Sequence, residues 1–175
     1  MPVFEVSKKF HTSTAHFLRG HKGKCAFLHG HNYGFTCKIV VDSPVNVLNS
    51  LGMLVDFALL DDFFEQFIKP YDHAVLLPAY DHEVEALLDV MPDMYKAQLG
   101  LLDRNRVIGF GENPTAEALG KRICGQMISM VEDRTLILPV QCYSPNVHIT
   151  CTVGVDETEN CSAQVTYAVQ KIVQV

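Results

Sequence analysis

Two long stretches of this chain alternate residue by residue, and they constrain its fold more than anything else in the sequence. In residues 3–16, Phe4, Val6, Phe10, Thr12, Thr14 and His16 share one parity; in residues 30–41, Tyr33, Phe35, Cys37, Ile39 and Val41 share one. A period of two is that of a β-strand with one face in a core and the other in water. Both apolar stripes end on histidine. His16 closes the first, and His29 and His31 open the second with one residue between them. Side chains two apart on a strand point to the same side, so three imidazoles are expected at the end of one sheet face.

Elsewhere the period changes. Residues 42–55 hold Asp-Ser-Pro, Asn-Ser and Leu-Gly and read as a turn region, with a short strand end at 53–55. Residues 57–68 take helical spacing, with Phe57, Leu60, Phe64 and Phe67 on one face, Asp56 as N-cap and Pro70 as the stop. Residues 71–77 look extended. In 79–111, Val84, Leu87, Leu88 and Met91 suit a short helix ended by Pro92, and the remainder reads as loop. A second clear helix is expected from Asn113-Pro114, with Asn as N-cap and Ala116, Leu119, Ile123, Met127 and Met130 as its buried stripe. Two further strands follow, one carrying Val147 to Val155 and one carrying Val165, Tyr167 and Val169, joined through a turn at 156–160. The order β-β-α-α-β-β predicts an α+β fold: an antiparallel sheet with both helices on one face. Its open edges invite pairing in an oligomer.

Composition narrows the partners. A length of 175 residues suits a single domain over 1–175. The formal charge of -6 gives no electrostatic reason to expect nucleic acid. No apolar run approaches the ~20 residues that span a bilayer, so no membrane partner is expected. The first residues lack the apolar core of an export signal. Six cysteines without a C-x-x-C pair then read as reduced thiols, which predicts a cytoplasmic protein.

Three histidines at one place suit zinc, with a fourth position left for water or substrate, the pattern of a catalytic centre. Taken alone, an H-x-H pair is more often two polar residues satisfied at a strand end; His16 on a compatible parity is what favours the metal. Cys37 shares their parity but lies about 20 Å along the strand from His31, at ~3.3 Å per residue, and belongs to the core. Cys25 sits in a loop with Lys22 and Lys24, where positive charge favours the thiolate, so it is a candidate nucleophile or general base; it could instead be a zinc ligand. Asp72-His73 offers a carboxylate that orients an imidazole, a common proton relay, although strand neighbours point to opposite faces unless the backbone turns there. Glu157, on the parity of Val153 and Val155, is either a solvated turn acid or a carboxylate able to pair with an N–C–N edge. Glu117 lies four residues after Asn113, off the capping-box spacing, which leaves its carboxylate for another partner.

Together these residues resemble the 6-pyruvoyl-tetrahydropterin synthase and 6-carboxytetrahydropterin synthase family. The resemblance runs through Phe10…Ala15-His16, Cys25-x-x-x-His29-Gly-His31-Asn-Tyr33, Gly52-Met-Leu-Val-Asp56-Phe57, Asp72-His73, Asn113-Pro-Thr115-Ala-Glu117 and Val155-Asp-Glu157-Thr158. It implies the tunnelling fold, in which subunits join their sheets into a trimeric barrel and two trimers stack into a homohexamer with active sites between subunits. It further implies that His16, His29 and His31 hold zinc, that Cys25, Asp72 and His73 transfer protons, and that Glu157 anchors a pterin with help from Thr115 and Glu117. The implied substrate is 7,8-dihydroneopterin triphosphate, with Arg19, Lys22 or Lys24 as candidate phosphate contacts.

Within that family the three residues between Cys25 and His29 are similar to the carboxy-forming enzymes of queuosine biosynthesis. No Glu lies between residues 17 and 31, unlike the subgroup linked to folate synthesis. The expected activity is therefore 6-carboxytetrahydropterin synthase, with a pyruvoyl-forming enzyme as the alternative. A zinc-handling protein without catalysis would need the histidines but not Cys25, Asp72, His73 and Glu157 as well. Residues 78–112 form a longer insertion than compact members carry, either covering the pocket or lying at the oligomer rim.

Overall fold

The computed structural model describes residues 2–98 and 106–170. Its centre is the strand pair expected from the alternation. Strand β1 (Val3–His16) and strand β2 (His29–Asp42) run antiparallel over their whole length, with His16 opposite His29 and Thr14 opposite His31. β5 (His148–Thr158) pairs antiparallel with β2, and β6 (Cys161–Ala168) with β5. Helix α1 (Phe57–Phe67) and helix α4 (Ala116–Glu132) pack on the same face of this sheet, where Leu60, Phe63, Leu119, Ile123 and Met127 join Tyr33, Phe35, Ile39 and Val153 in one buried core. Phe10 stacks flat on Phe64, ring centroids 4.7 Å apart.

The α+β architecture stands, and the sheet is wider than the alternation implied. On the far side of β1 lie two short strands, β3 (Ala74–Leu77) and β4 (Val107–Gly109), giving six strands in the order β4-β3-β1-β2-β5-β6. Both run parallel to their neighbours, so the sheet is mixed rather than purely antiparallel. Parallel neighbours need a long crossover. Between β3 and β4 that crossover contains helix α2 (Asp81–Val90) and helix α3 (Asp93–Gln98). Val84 and Leu88 of α2 pack on Val107 in a small cluster separate from the main core. The short helix ended by Pro92 is thus present, while a further helix and a strand stand where loop was expected; residues 99–105 of that stretch lie outside the described residues.

Three local expectations shift. Residues 53–55 form no strand, and Leu54 and Val55 are buried within a turn. In α1, Asp56 caps as expected, accepting the Ala58 N–H at 2.9 Å, but Leu60 and Phe63 are the buried pair and Phe57 is exposed beside Lys8. The N-cap of α4 is Thr115, whose hydroxyl accepts the Ala118 N–H at 3.2 Å; Asn113 is used elsewhere. No helix among the described residues is long and apolar enough to cross a membrane.

Candidate active site

The strand register assembles the first part of the site. With His16 facing His29 across the ladder and His31 one pleat further on, the three rings converge, their centroids 4.6 to 5.3 Å apart. One ligand atom from each lies within 4.8 Å of the others. Whether these rings suit a metal can be judged from their outer nitrogens. Nδ1 of His16 lies 2.7 Å from the Pro114 carbonyl, and Nδ1 of His29 lies 2.7 Å from the Phe27 carbonyl. A carbonyl only accepts, so each Nδ1 must carry the proton and each neutral ring presents a bare Nε2. A backbone carbonyl fixing the tautomer from behind is the outer-shell arrangement of metal-bound histidine. Burial, reinforced by the neighbouring His29, lowers the basicity of His16 against the opposing pull of the Pro114 carbonyl. That favours the neutral imidazole, the form that binds metal. The residues fit zinc.

Glu157 reaches the same place on the parity of Val153 and Val155, at the end of β5, where the ladder also has a fault. The β5–β6 register slips between Asp156 and Thr158, so Glu157 is the extra residue of a bulge. Bulges re-aim side chains, and they are common beside active sites. Glu157 Oε1 stands 3.5 Å from Nε2 of His16 and 3.6 Å from Nε2 of His31. It also accepts a 3.0 Å hydrogen bond from Tyr33. Tyr33 is fully buried, and burial first and the Glu157 charge second push its phenol far above its ordinary range, so it stays a donor. Tyr33→Phe is expected to lower stability by about 1–2 kcal/mol, because the carboxylate loses a buried partner; denaturant unfolding of both proteins measures it.

Cys25 lies in a short 3₁₀ turn over Lys24–Ala26, half-buried, in the loop that joins the two histidine-bearing strands. The loop is closed by Leu18 N–H donating to the Cys25 carbonyl at 2.7 Å. It is tied to the start of α4 by a two-way clamp: Arg19 N–H donates to Asn113 Oδ1 at 2.7 Å, and Asn113 Nδ2 donates to the Arg19 carbonyl at 3.1 Å. Thr115 stands at the N-terminus of the clamped helix, and Glu117 is exposed in its first turn, where the helix dipole favours a carboxylate. Lys22 and Lys24 are exposed in the loop.

Asp72 and His73 sit on the other side of the sheet. His73 takes a left-handed backbone (φ 56°), and this turn brings the adjacent side chains together: His73 Nδ1 lies 3.0 Å from Asp72 Oδ2. β1 holds the pair in place. Ser13 N–H donates to Asp72 Oδ1 at 2.8 Å, and His73 N–H donates to the Ser13 carbonyl at 2.6 Å. The Ser13 bond is the main cause that holds the Asp72 carboxyl below its ordinary range, with His73 and Arg106 acting the same way. His73 opens onto a groove of about 450 Å3 bordered by Ser13, Ala15, Gly30 and Asn32, the outward parity of β1 and β2, with His31 at its rim. A single chain therefore gathers His16, His29, His31 and Glu157 at one end of the helix-covered face, carries Cys25 on the loop that joins the two histidine-bearing strands, and sets His73 on a groove of the outward parity.

Three participants lay outside the sequence reading. Tyr33 was visible by parity but counted as core. The Pro114 carbonyl carries no side-chain signal at all. Asn113 was read as a cap, and serves as the clamp.

A family model described as 6-pyruvoyl tetrahydropterin synthase matches residues 5–167. A protein of Rickettsia typhi named 6-carboxy-5,6,7,8-tetrahydropterin synthase is 27% identical over 164 residues, 93% of this chain and 100% of that protein. One of the same name from Haemophilus influenzae is 37% identical over 75 residues, 42% of this chain and 52% of the other. Among solved structures, 6-pyruvoyltetrahydropterin synthase from Plasmodium vivax, as a catalytic-residue mutant, aligns with a TM-score of 0.65 at 19% identity, covering 97% of this chain and 100% of that one. That likeness concerns the fold.

Proposed function

The chain belongs to the 6-pyruvoyl tetrahydropterin synthase family, and from that premise we propose that it is a zinc-dependent 6-carboxy-5,6,7,8-tetrahydropterin synthase. The substrates are 7,8-dihydroneopterin triphosphate and one water, consumed when the side-chain carbon–carbon bond is cleaved, and the products are 6-carboxytetrahydropterin, acetaldehyde and triphosphate, on the route to queuosine. The observation that carries this reading is the three-imidazole cluster with two Nδ1 atoms bound to backbone carbonyls. The names of full-length relatives point to the carboxy product.

His16, His29 and His31 would hold the zinc, the first two through the bare Nε2 atoms that their carbonyl-bound Nδ1 leaves. When bound, zinc supplies Lewis acidity toward the substrate's side-chain hydroxyls. The protein does the rest. Cys25 takes a carbon-bound proton as thiolate. His73, oriented by the Asp72 carboxylate, returns protons at the other side of the reacting carbons. Glu157, its rotamer fixed by Tyr33, takes the pterin's N–C–N edge, and Thr115 and Glu117 at the start of α4 complete the cradle. Arg19, Lys22 or Lys24 meets the triphosphate.

With the histidine cluster on the helix-covered face and His73 opening onto a groove on the outward parity of β1 and β2, the complete site is proposed to lie at the junction of two subunits. Pairing of sheet edges into a barrel, with two trimers in a homohexamer, supplies that junction. Residues 1–175 are treated as one domain with an insertion at about 78–112. None of the six cysteines is joined in a disulfide, which suits a reducing cytoplasm.

The test is turnover by zinc-loaded protein. Release of triphosphate from 7,8-dihydroneopterin triphosphate, lost on chelation and restored by zinc, is the expected result. Tight zinc binding with no turnover would leave a metal-handling protein in its place.

A further inference from the structure

The crossover between β3 and β4 has no assigned part in the chemistry, yet it delivers a cation to the proton-transfer pair. β4 pairs with β3 with Val107 opposite Val75, so Arg106 comes level with Ala74, immediately after His73. From there Arg106 Nη1 donates a 2.9 Å hydrogen bond to the Asp72 carbonyl. That carbonyl belongs to the peptide joining Asp72 to His73, the point at which the chain enters its left-handed turn. A left-handed conformation at a residue with a Cβ is costly and persists only where the surroundings impose it. Here they do so from two sides. Ser13 of β1 holds the pair through its N–H and its carbonyl, and Arg106, just before β4, holds the intervening peptide.

We propose that Arg106 is a positioning residue for Asp72–His73, and that supplying it is a function of the crossover through residues 78–112. Without Arg106, one of the two anchors of the turn is gone. The His73 ring then no longer rests on Asp72 at a fixed angle, and its proton reaches the substrate less often in the right direction. Such misplacement lowers the rate of chemistry and leaves substrate binding alone. The ionisable groups facing Asp72 are His73 beside it, Arg106 from the residue before β4 and His11 across a neighbouring cleft. Arg106 is the fixed cation among them.

The inference rests on the synthase reading, and its test separates the two. Wild type, Arg106→Ala and Arg106→Lys are compared as full-length, zinc-loaded proteins. Arg106→Ala is expected to lose about tenfold to a hundredfold in kcat with KM within about twofold. Arg106→Lys, which keeps a charged donor, is expected to recover most of the loss, as is guanidinium ion added to Arg106→Ala below denaturing concentration. In the absence of substrate, amide hydrogen exchange should rise at residues 72–75 in Arg106→Ala and stay unchanged in α4. A raised KM with unchanged kcat would overturn the proposal and make Arg106 a substrate contact. Unchanged exchange at 72–75 would overturn it whatever the activity. Absence of turnover in the wild type would sink the synthase reading instead, and the exchange measurement would still decide the anchoring by Arg106.

Discussion

Cys25→Ala will lower turnover of 7,8-dihydroneopterin triphosphate by about 10²–10⁴-fold, the range for removing a general base, while the protein keeps its metal. The reason lies in where the thiol sits. Three imidazoles already converge without Cys25, two of them with Nδ1 fixed to a carbonyl. Cys25 rides instead on the loop closed by the Leu18–Cys25 backbone bond and clamped through Arg19 to Asn113. Removing its sulfur takes away a base and leaves the cluster standing. His29→Ala is the matching control. It breaks the cluster, so metal and turnover disappear together. Metal content by atomic absorption, beside steady-state rates, separates the two variants. Loss of zinc from Cys25→Ala would make Cys25 a ligand and refute its role as base.

Mixing two dead variants should restore a live enzyme. Cys25→Ala and His73→Ala are each expected to be inactive as homo-oligomers. After joint unfolding and reassembly, activity should return to about a quarter of wild type, the statistical share of junctions that receive an intact Cys25 from one subunit and an intact His73 from the next. His73 opens onto the groove beside Ser13, Ala15, Gly30 and Asn32, and Cys25 rides on the loop between β1 and β2. On the proposed reading each junction takes Cys25 from one subunit and His73 from the next. If mixed oligomers stay inactive although both chains are present, the site is not shared between subunits in this way.

Much of this site was legible in the sequence because its parts obey short periods. Alternation carried Phe10 to His16 and His29 to Val41 onto one face, and the ladder then had to bring the three histidines together. The helices were legible for the same reason, down to Asp56 as a cap. What escaped was set by contacts distant in sequence. Strands β3 and β4, of four and three residues, are too short to show a period; the extended stretch at 71–77 becomes a strand by pairing with β1, and β4 by pairing with β3. In Asn113-Pro114-Thr115 two residues could cap; the clamp on Arg19 takes Asn113 and leaves Thr115. Contact between Asp72 and His73 depends on a left-handed turn that nothing in an Asp-His dipeptide announces.

The measurement that tests the central claim most directly is mass spectrometry of the pterin formed by zinc-loaded protein from 7,8-dihydroneopterin triphosphate, with acetaldehyde assayed in the same mixture. 6-Carboxytetrahydropterin with an equal amount of acetaldehyde is the expected result. A 6-pyruvoyl product without acetaldehyde would contradict the account and place this chain with the pyruvoyl-forming enzymes.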